Sequence, residues 1–181
     1  MKRVGQLRKL AHGTRGSEIA EAALVIPIFF MVLLGIYWFG RAFNTYATIN
    51  HAAREGALAA TMSTCAGCVP PNQQTSASSV ATTVTAALQA AGLNSGQIQV
   101  YTPASPTFCG GAAPSCAANS NITVCSNVQL TPPAAPGSPA CGVTVSFGYP
   151  YVFSLPTPIP PFGSNGFNLL LKATVQMRGE Y

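Results

Sequence analysis

Ala22 to Gly40 (AALVIPIFFMVLLGIYWFG) is an uninterrupted uncharged run closed by Arg41. At about 1.5 Å per residue, a helix of this length crosses a hydrocarbon core of about 30 Å. Helical spacing persists from Arg41 to Thr61, with Phe43, Tyr46, Ala47, Asn50, Ala53 and Ala57 on one face. The pattern therefore predicts one long helix that continues beyond the apolar run. A second helix is predicted over Thr75–Ala91, where Val80, Val84, Leu88 and Ala91 form a stripe. Hydroxyl side chains can cap its start and Gly92 can stop it. Strand-like stretches follow at Gln97–Tyr101, Asn121–Leu130, Cys141–Phe153 and Phe167–Arg178. The last alternates, with Leu169, Leu171, Ala173, Val175 and Met177 on one face and Leu170, Lys172, Thr174, Gln176 and Arg178 on the other. One wet and one buried face is the habit of antiparallel sheets. Segments rich in Pro, Gly and Ser at Thr102–Ala118, Thr131–Gly142 and Leu155–Gly166 read as connections. The expected fold is α+β: a long N-terminal transmembrane helix continuing outside the membrane, a second helix, and a small antiparallel sheet.

Charge sets the orientation. Lys2, Arg3, Arg8, Lys9 and Arg15 all precede the first acidic residue, Glu18. A basic flank before an apolar span places the N-terminus in the cytoplasm and everything after Arg41 outside. Tyr37 and Trp38 stand near the outer end, where an aromatic belt belongs. The run exceeds the usual h-region of a secretory signal, about 7–15 residues, and no small-x-small site follows it closely. It reads as an anchor. The net charge of +5 does not indicate nucleic acid. The remaining cations, Arg41, Arg54, Lys172 and Arg178, are balanced by Glu18, Glu21, Glu55 and Glu180, so the folded part has no basic excess for phosphates.

Titratable chemistry is scarce. Charged residues are 7% of the chain, Asp is absent, and none of Asp, Glu, Lys, Arg or His occurs between Glu55 and Lys172. Such a stretch lacks the carboxylate, imidazole or amine that acid-base and nucleophilic catalysis use, and an enzyme is not expected. The six cysteines, Cys65, Cys68, Cys109, Cys116, Cys125 and Cys141, all fall beyond the span, in the compartment predicted to be oxidising. They read as three structural disulfides with the pairing open. The Cys65-Ala66-Gly67-Cys68 spacing also occurs in redox and zinc sites, but no His, carboxylate or second such pair accompanies it. No metal or cofactor is expected. Asn121-Ile122-Thr123 is a glycosylation-type tripeptide with no further support.

Glu21 is unusual for its place at the membrane edge, one turn after Glu18. Both carboxylates favour a helix N-terminus. The spacing Gly16-Ser17-Glu18-Ile19-Ala20-Glu21, between a basic leader and an apolar helix, also resembles the processing site of type IV prepilins. That resemblance implies cleavage by a membrane peptidase between Gly16 and Ser17. It also implies a role for Glu21 in pairing with the new amine of a neighbouring subunit. Where Flp-type pilins usually carry an aromatic residue after this glutamate, this chain has Ala22.

Two stretches resemble the TadE family of pilus-assembly proteins: Glu21-Ala22-Ala23-Leu24-Val25-Ile26-Pro27, and Ala52-Ala53-Arg54-Glu55-Gly56-Ala57. Together they cover roughly residues 16–60, and Ala173–Glu180 is similar to the last strand of these proteins. The resemblance implies a pilin-like fold and a helix that packs on other subunits around Ala53, Arg54, Glu55 and Gly56. The expected organisation is a cytoplasmic leader (1–16), a transmembrane and extended helix (17–61) and an extracytoplasmic domain (62–181), anchored in the inner membrane. The implied function is that of a minor pilin or pseudopilin-like subunit of a tight-adherence (Flp) pilus. Its implied partners are other pilin subunits, pilus-assembly proteins, the prepilin peptidase and the membrane. The rival readings are an anchored adhesin that never enters a filament and a tethered thiol oxidoreductase.

Overall fold

The computed structural model describes residues 15–62, 75–103, 107–109, 115–130, 140–153 and 167–179. Helix α1 spans Arg15–Thr61 and α2 spans Ala77–Ala90, followed by a 3-10 turn at Ser95–Gln97. Four strands follow: β1 (Ser115–Asn119), β2 (Ile122–Gln129), β3 (Cys141–Phe153) and β4 (Phe167–Arg178). They form one antiparallel sheet in the order β1-β2-β3-β4, so neighbours in sequence are neighbours in space. The chain divides into two compact units, Met1–Arg41 and Ala42–Tyr181. Helix α1 passes through Pro27 in the first unit and contributes its last turns to the second.

The second unit is built on small residues. Ile49, Ala52, Ala53, Ala57 and Ala60 of α1 join Val80, Ala81, Val84 and Leu88 of α2. The same core takes Ile122 and Val124 from β2, Val143, Val145, Phe147 and Tyr149 from β3, and Ala173 from β4. A β-carbon on Gly56 would run into Val84, with Val80 Cγ1 at 3.5 Å and Val145 Cγ1 at 3.7 Å. Glycine and alanine thus let α1 approach α2 and β3 closely. Full burial of Val80, Val84 and Leu88 contributes about 1.5–3 kcal/mol each.

Both ends of α2 follow from local chemistry. Ser76 accepts a hydrogen bond from Ser79 N at 3.4 Å. At the other end Gly92 adopts φ 76°, Gly92 N donates to Gln89 O, and Leu93 N donates to Leu88 O. This is the Schellman arrangement, and it accounts for the stop at Gly92.

The sheet departs from the predicted one in three places. Ser115–Asn119 is a strand, although all of it but Asn119 lies within the stretch expected to be a connection. Its composition, SCAAN, has no β-branched or aromatic residue, and all five positions are exposed, so no alternation reveals it. Conversely Gln97–Tyr101 is not a ladder strand. Gln99 makes a single bridge to Gly148. Third, β2 bulges between Cys125 and Val128, where Asn127 has φ 56°. Ile122 and Val124 face the helices, but Val128 pairs with Gly142 and so lies on the other face. The alternation predicted for β4 holds at Ala173, which is buried, and at the exposed Lys172, Thr174, Gln176 and Arg178, whereas Leu169 is exposed.

Among the described residues, two disulfides staple this unit. Cys116–Cys125 joins directly opposed residues of β1 and β2, with Cα atoms 4.1 Å apart. Cys109–Cys141 ties the Thr107–Cys109 segment, which bonds to Asn127 and Gln129, to the start of β3. The remaining expected cysteines, Cys65 and Cys68, lie outside the described residues.

Candidate functional site

The sequence features with functional content converge on α1. In its first unit, Leu24 to Leu34 and Ile36, Tyr37 and Phe39 are exposed apolar side chains. The helix is long and apolar enough to cross a membrane, and no part of its most apolar window is buried. Removing the Pro27 N–H frees one carbonyl a turn earlier, a defect that neighbouring groups must tolerate in an apolar medium. Tyr37 and Trp38 meet edge to face at 5.5 Å between centroids. The Gly16–Ser17 bond falls in the first turn of α1. Glu21 is exposed and has no ion pair among the described residues.

The Ala52–Ala57 segment is divided by the helix into two faces. Ala52, Ala53, Gly56 and Ala57 point into their own domain, where they complete its core. Arg54 points out and is exposed. Glu55 pairs with His51 one turn earlier at 3.8 Å, not with Arg54. Adjacent helical residues point about 100° apart, so sequence neighbours of opposite charge do not meet. Of the expected packing residues, Ala53 and Gly56 therefore serve an intramolecular contact, and Arg54 and Glu55 remain accessible or nearly so.

The buried face of α1 also differs from the one read from the sequence. Thr45, Ile49, Ala52, Ala53, Gly56, Ala57 and Ala60 are buried, while Phe43, Tyr46 and Ala47 are exposed. The true face is rotated by about a quarter turn from the predicted one. The aromatic pair Phe43 and Tyr46 drew the predicted stripe toward itself, yet the sheet and α2 select alanine and glycine for close approach. The missed core residues Thr45, Ile49, Ala52 and Ala60 share a 3–4 spacing, and that signal is present in the sequence without any bulky residue except Ile49.

Elsewhere the described residues offer little chemistry. No group of three His, Cys, Asp or Glu side chains gathers among them. A cleft of about 220 Å³ between Ala60, the start of α2, β1 and Val143 is lined by Ala, Val, Ser and Thr residues. On the sheet face away from the helices, Ser146 Oγ donates to Tyr101 O at 3.1 Å, and Lys172 Nζ stands 4.8 Å from the Tyr101 ring centroid. Thr123 and Thr144 are buried on that face with their hydroxyls unbonded.

The family of TadE-like proteins matches residues 16–58. The matched stretch begins at the glycine of the suspected processing site and ends within α1, so α2 and the sheet lie outside it. No curated protein and no solved structure matches the chain.

Proposed function

We propose that the chain is a membrane-anchored, non-enzymatic subunit of a tight-adherence (Flp, type IVb-like) pilus, in the manner of a minor pilin or pseudopilin. The observation that supports this best is the coincidence of the TadE-like match, residues 16–58, with a single helix whose first part is apolar and uncovered. TadE-like proteins are associated with tight-adherence pilus assembly, and that association is the basis for the pilus context. In this reading residues 1–16 are a cytoplasmic leader, the span crosses the inner membrane with the N-terminus inside, and the sheet lies outside. A prepilin-type peptidase cuts between Gly16 and Ser17. The exposed side of α1, including Phe43, Tyr46, Ala47 and Arg54, is then the surface left for partner helices, because Ala53 and Gly56 are occupied internally.

Intact-mass spectrometry of the protein from native membranes, without reductant, tests processing directly. The expected species begins at Ser17, and Gly16→Arg should leave the full-length precursor. An unchanged mature mass in that variant rules out the assigned bond. An anchored adhesin would need no such release, so a full-length native chain would favour that alternative.

A further inference from the structure

The second unit has two distinguishable ends. Ala60 shares a cleft with Val143 and with Ser76 and Ala77 at the start of α2, while Gly56 approaches Val145. Beyond α2, Asn94 N donates to the Tyr149 hydroxyl at 3.2 Å, and Gln99 bridges to Gly148. Going from Ala60 back toward Ala42, α1 therefore runs along β3 in the direction of Tyr149 and Phe153. The end at which the chain enters this unit is the end occupied by the far part of the β3–β4 ribbon. There β2 has already stopped pairing, its last partner on β3 being Ser146, and beyond the single Gln99 bridge at Gly148 the two long strands pair only with each other as far as Phe153 opposite Phe167. At about 3.3 Å per residue, this extension is about 20 Å long.

Exposed large apolar side chains gather at this entry end. They are Phe43 (68% exposed), Tyr46, Val100, Val152 (50% exposed), Leu169 and Leu170. Among the described residues of the same unit, the exposed large apolar side chains at the opposite end are Leu58 and Met62. The cation at the entry end, among the described residues of this unit, is Lys172, opposite Gly148 in the ribbon. The described carboxylate of this unit, Glu55, is about 18 Å along α1 from Phe43 and engaged with His51. Val152 and Leu170 share the sheet face of Lys172, while Leu169 lies on the opposite face and Phe43 and Tyr46 on α1, with no acid among them. Apolar tips with a lysine and no acid match the chemistry of a bilayer interface: tips enter the acyl boundary and the ammonium meets lipid phosphate.

We propose that the entry end of this unit, led by Val152, Leu169 and Leu170 with Lys172, rests in the headgroup region of the bilayer that holds the apolar segment of α1. The inference rests on the anchor reading above. It adds that this end of the domain is docked on the lipid. The tether makes such docking feasible. Side chains too few to bind a bilayer on their own act at the high effective concentration that a single connecting chain imposes. Docking would also hold the outward face of α1 in one orientation to neighbouring helices in the membrane plane.

The test uses the full chain in vesicles of phosphatidylethanolamine and phosphatidylglycerol containing lipids brominated at a shallow or a deep position. Trp38 is the one native tryptophan and reports the span in the unmodified chain. In a Trp38→Phe background, Val152→Trp, Leu169→Trp and, at the opposite end, Met62→Trp each place one reporter at an exposed site. Docking predicts that shallow lipid quenches the Val152→Trp and Leu169→Trp reporters about twofold or more above the Met62→Trp reporter. Equal quenching at all three overturns the inference. A blue-shifted but unquenched Val152→Trp reporter also overturns it, because protein then covers the site. If Trp38 itself escapes quenching in the unmodified chain, the anchor reading fails first. Quenched Trp38 with unquenched ribbon reporters removes the docking alone.

Discussion

Gly56 of α1 lies against Val84 of α2 so closely that there is no room for a β-carbon between them. The contact explains why glycine stands in the middle of a helix, where it costs about 1 kcal/mol relative to alanine. It also separates two properties of the Ala52–Ala57 segment that the sequence presents as one. Gly56→Ala is expected to destabilise the domain by about 1–3 kcal/mol, since Val84 must move in a packed core. Arg54→Ala, on the exposed side, should change stability by less than about 0.5 kcal/mol. Denaturant unfolding of both variants in detergent, followed by circular dichroism, checks the pair. Equal stability of the two variants would contradict the packing described for Gly56.

The disulfides differ in what they constrain. Cys109–Cys141 closes a separation of 32 residues and Cys116–Cys125 one of 9. Chain-entropy reasoning assigns them about 4 and about 3 kcal/mol respectively. Each bridge has one buried cysteine, Cys125 and Cys109, but the accessible partner is exposed in the first (Cys116) and half-buried in the second (Cys141). Mild reductant is therefore expected to open Cys116–Cys125 first, with the smaller loss of stability. Timed alkylation and peptide mapping read the order, and prior opening of Cys109–Cys141 would count against it.

The two-residue turn Ser120-Asn121 has positive φ at both positions, 48° and 64°. This is the turn that matches the twist of a hairpin, and asparagine tolerates it better than most residues. Asn121 Nδ2 also donates to Ile98 O at 2.7 Å, joining the hairpin to the segment after α2. Its place in the chain is thus explained without reference to glycosylation. Asn121→Ala should cost about 1–2 kcal/mol, by loss of that bond and by strain at positive φ, whereas Ser120→Gly should be neutral or stabilising. Thermal unfolding of the two variants tests the assignment. A neutral Asn121→Ala would show that the bond to Ile98 does not matter.

The long, strongly patterned elements were legible in the sequence. The apolar run, the 3–4 spacing and the hydroxyl and glycine stops give both helices, the strand-like run at Cys141–Phe153 gives β3, and the alternation of apolar and polar positions gives β4. What escaped has a common cause. Strand β1 is held by the Cys116–Cys125 pairing and by register with β2, not by its own side chains. The bulge at Asn127 moves Val128 to the far face, and no local pattern announces it. On α1, small residues were underweighted beside Phe43 and Tyr46, although close approach to α2 depends on them. Of the candidate site residues, the sequence could propose Glu21 and Gly16 by their spacing, but the use of Ala53 and Gly56 became clear only once α2 was in place against them.

Glu21 is the residue proposed to carry the assembly chemistry. A carboxylate at the hydrophobic boundary is costly unless it finds a partner. In the chain beginning at Ser17 the first side-chain cation is Arg41, about 30 Å along α1 from Glu21. Cleavage after Gly16 would create a closer one, the α-amino group of Ser17, one helical turn away in the same chain or beside it on a neighbouring subunit. Low dielectric strengthens that attraction, and pairing offsets the desolvation of both groups. Glu21→Gln keeps the shape and removes the charge. It is expected to leave membrane insertion and processing largely intact while lowering crosslinking to pilus partners and pilus yield. Glu18→Gln should have a much smaller effect, because Glu18 lies one turn further from the apolar run and can stay hydrated. A general preference of helix N-termini for carboxylates, about 0.3–1 kcal/mol each, predicts equal and mild effects from both substitutions. In vivo crosslinking of the two variants side by side separates these cases, and equal effects would remove Glu21 as a subunit-pairing site.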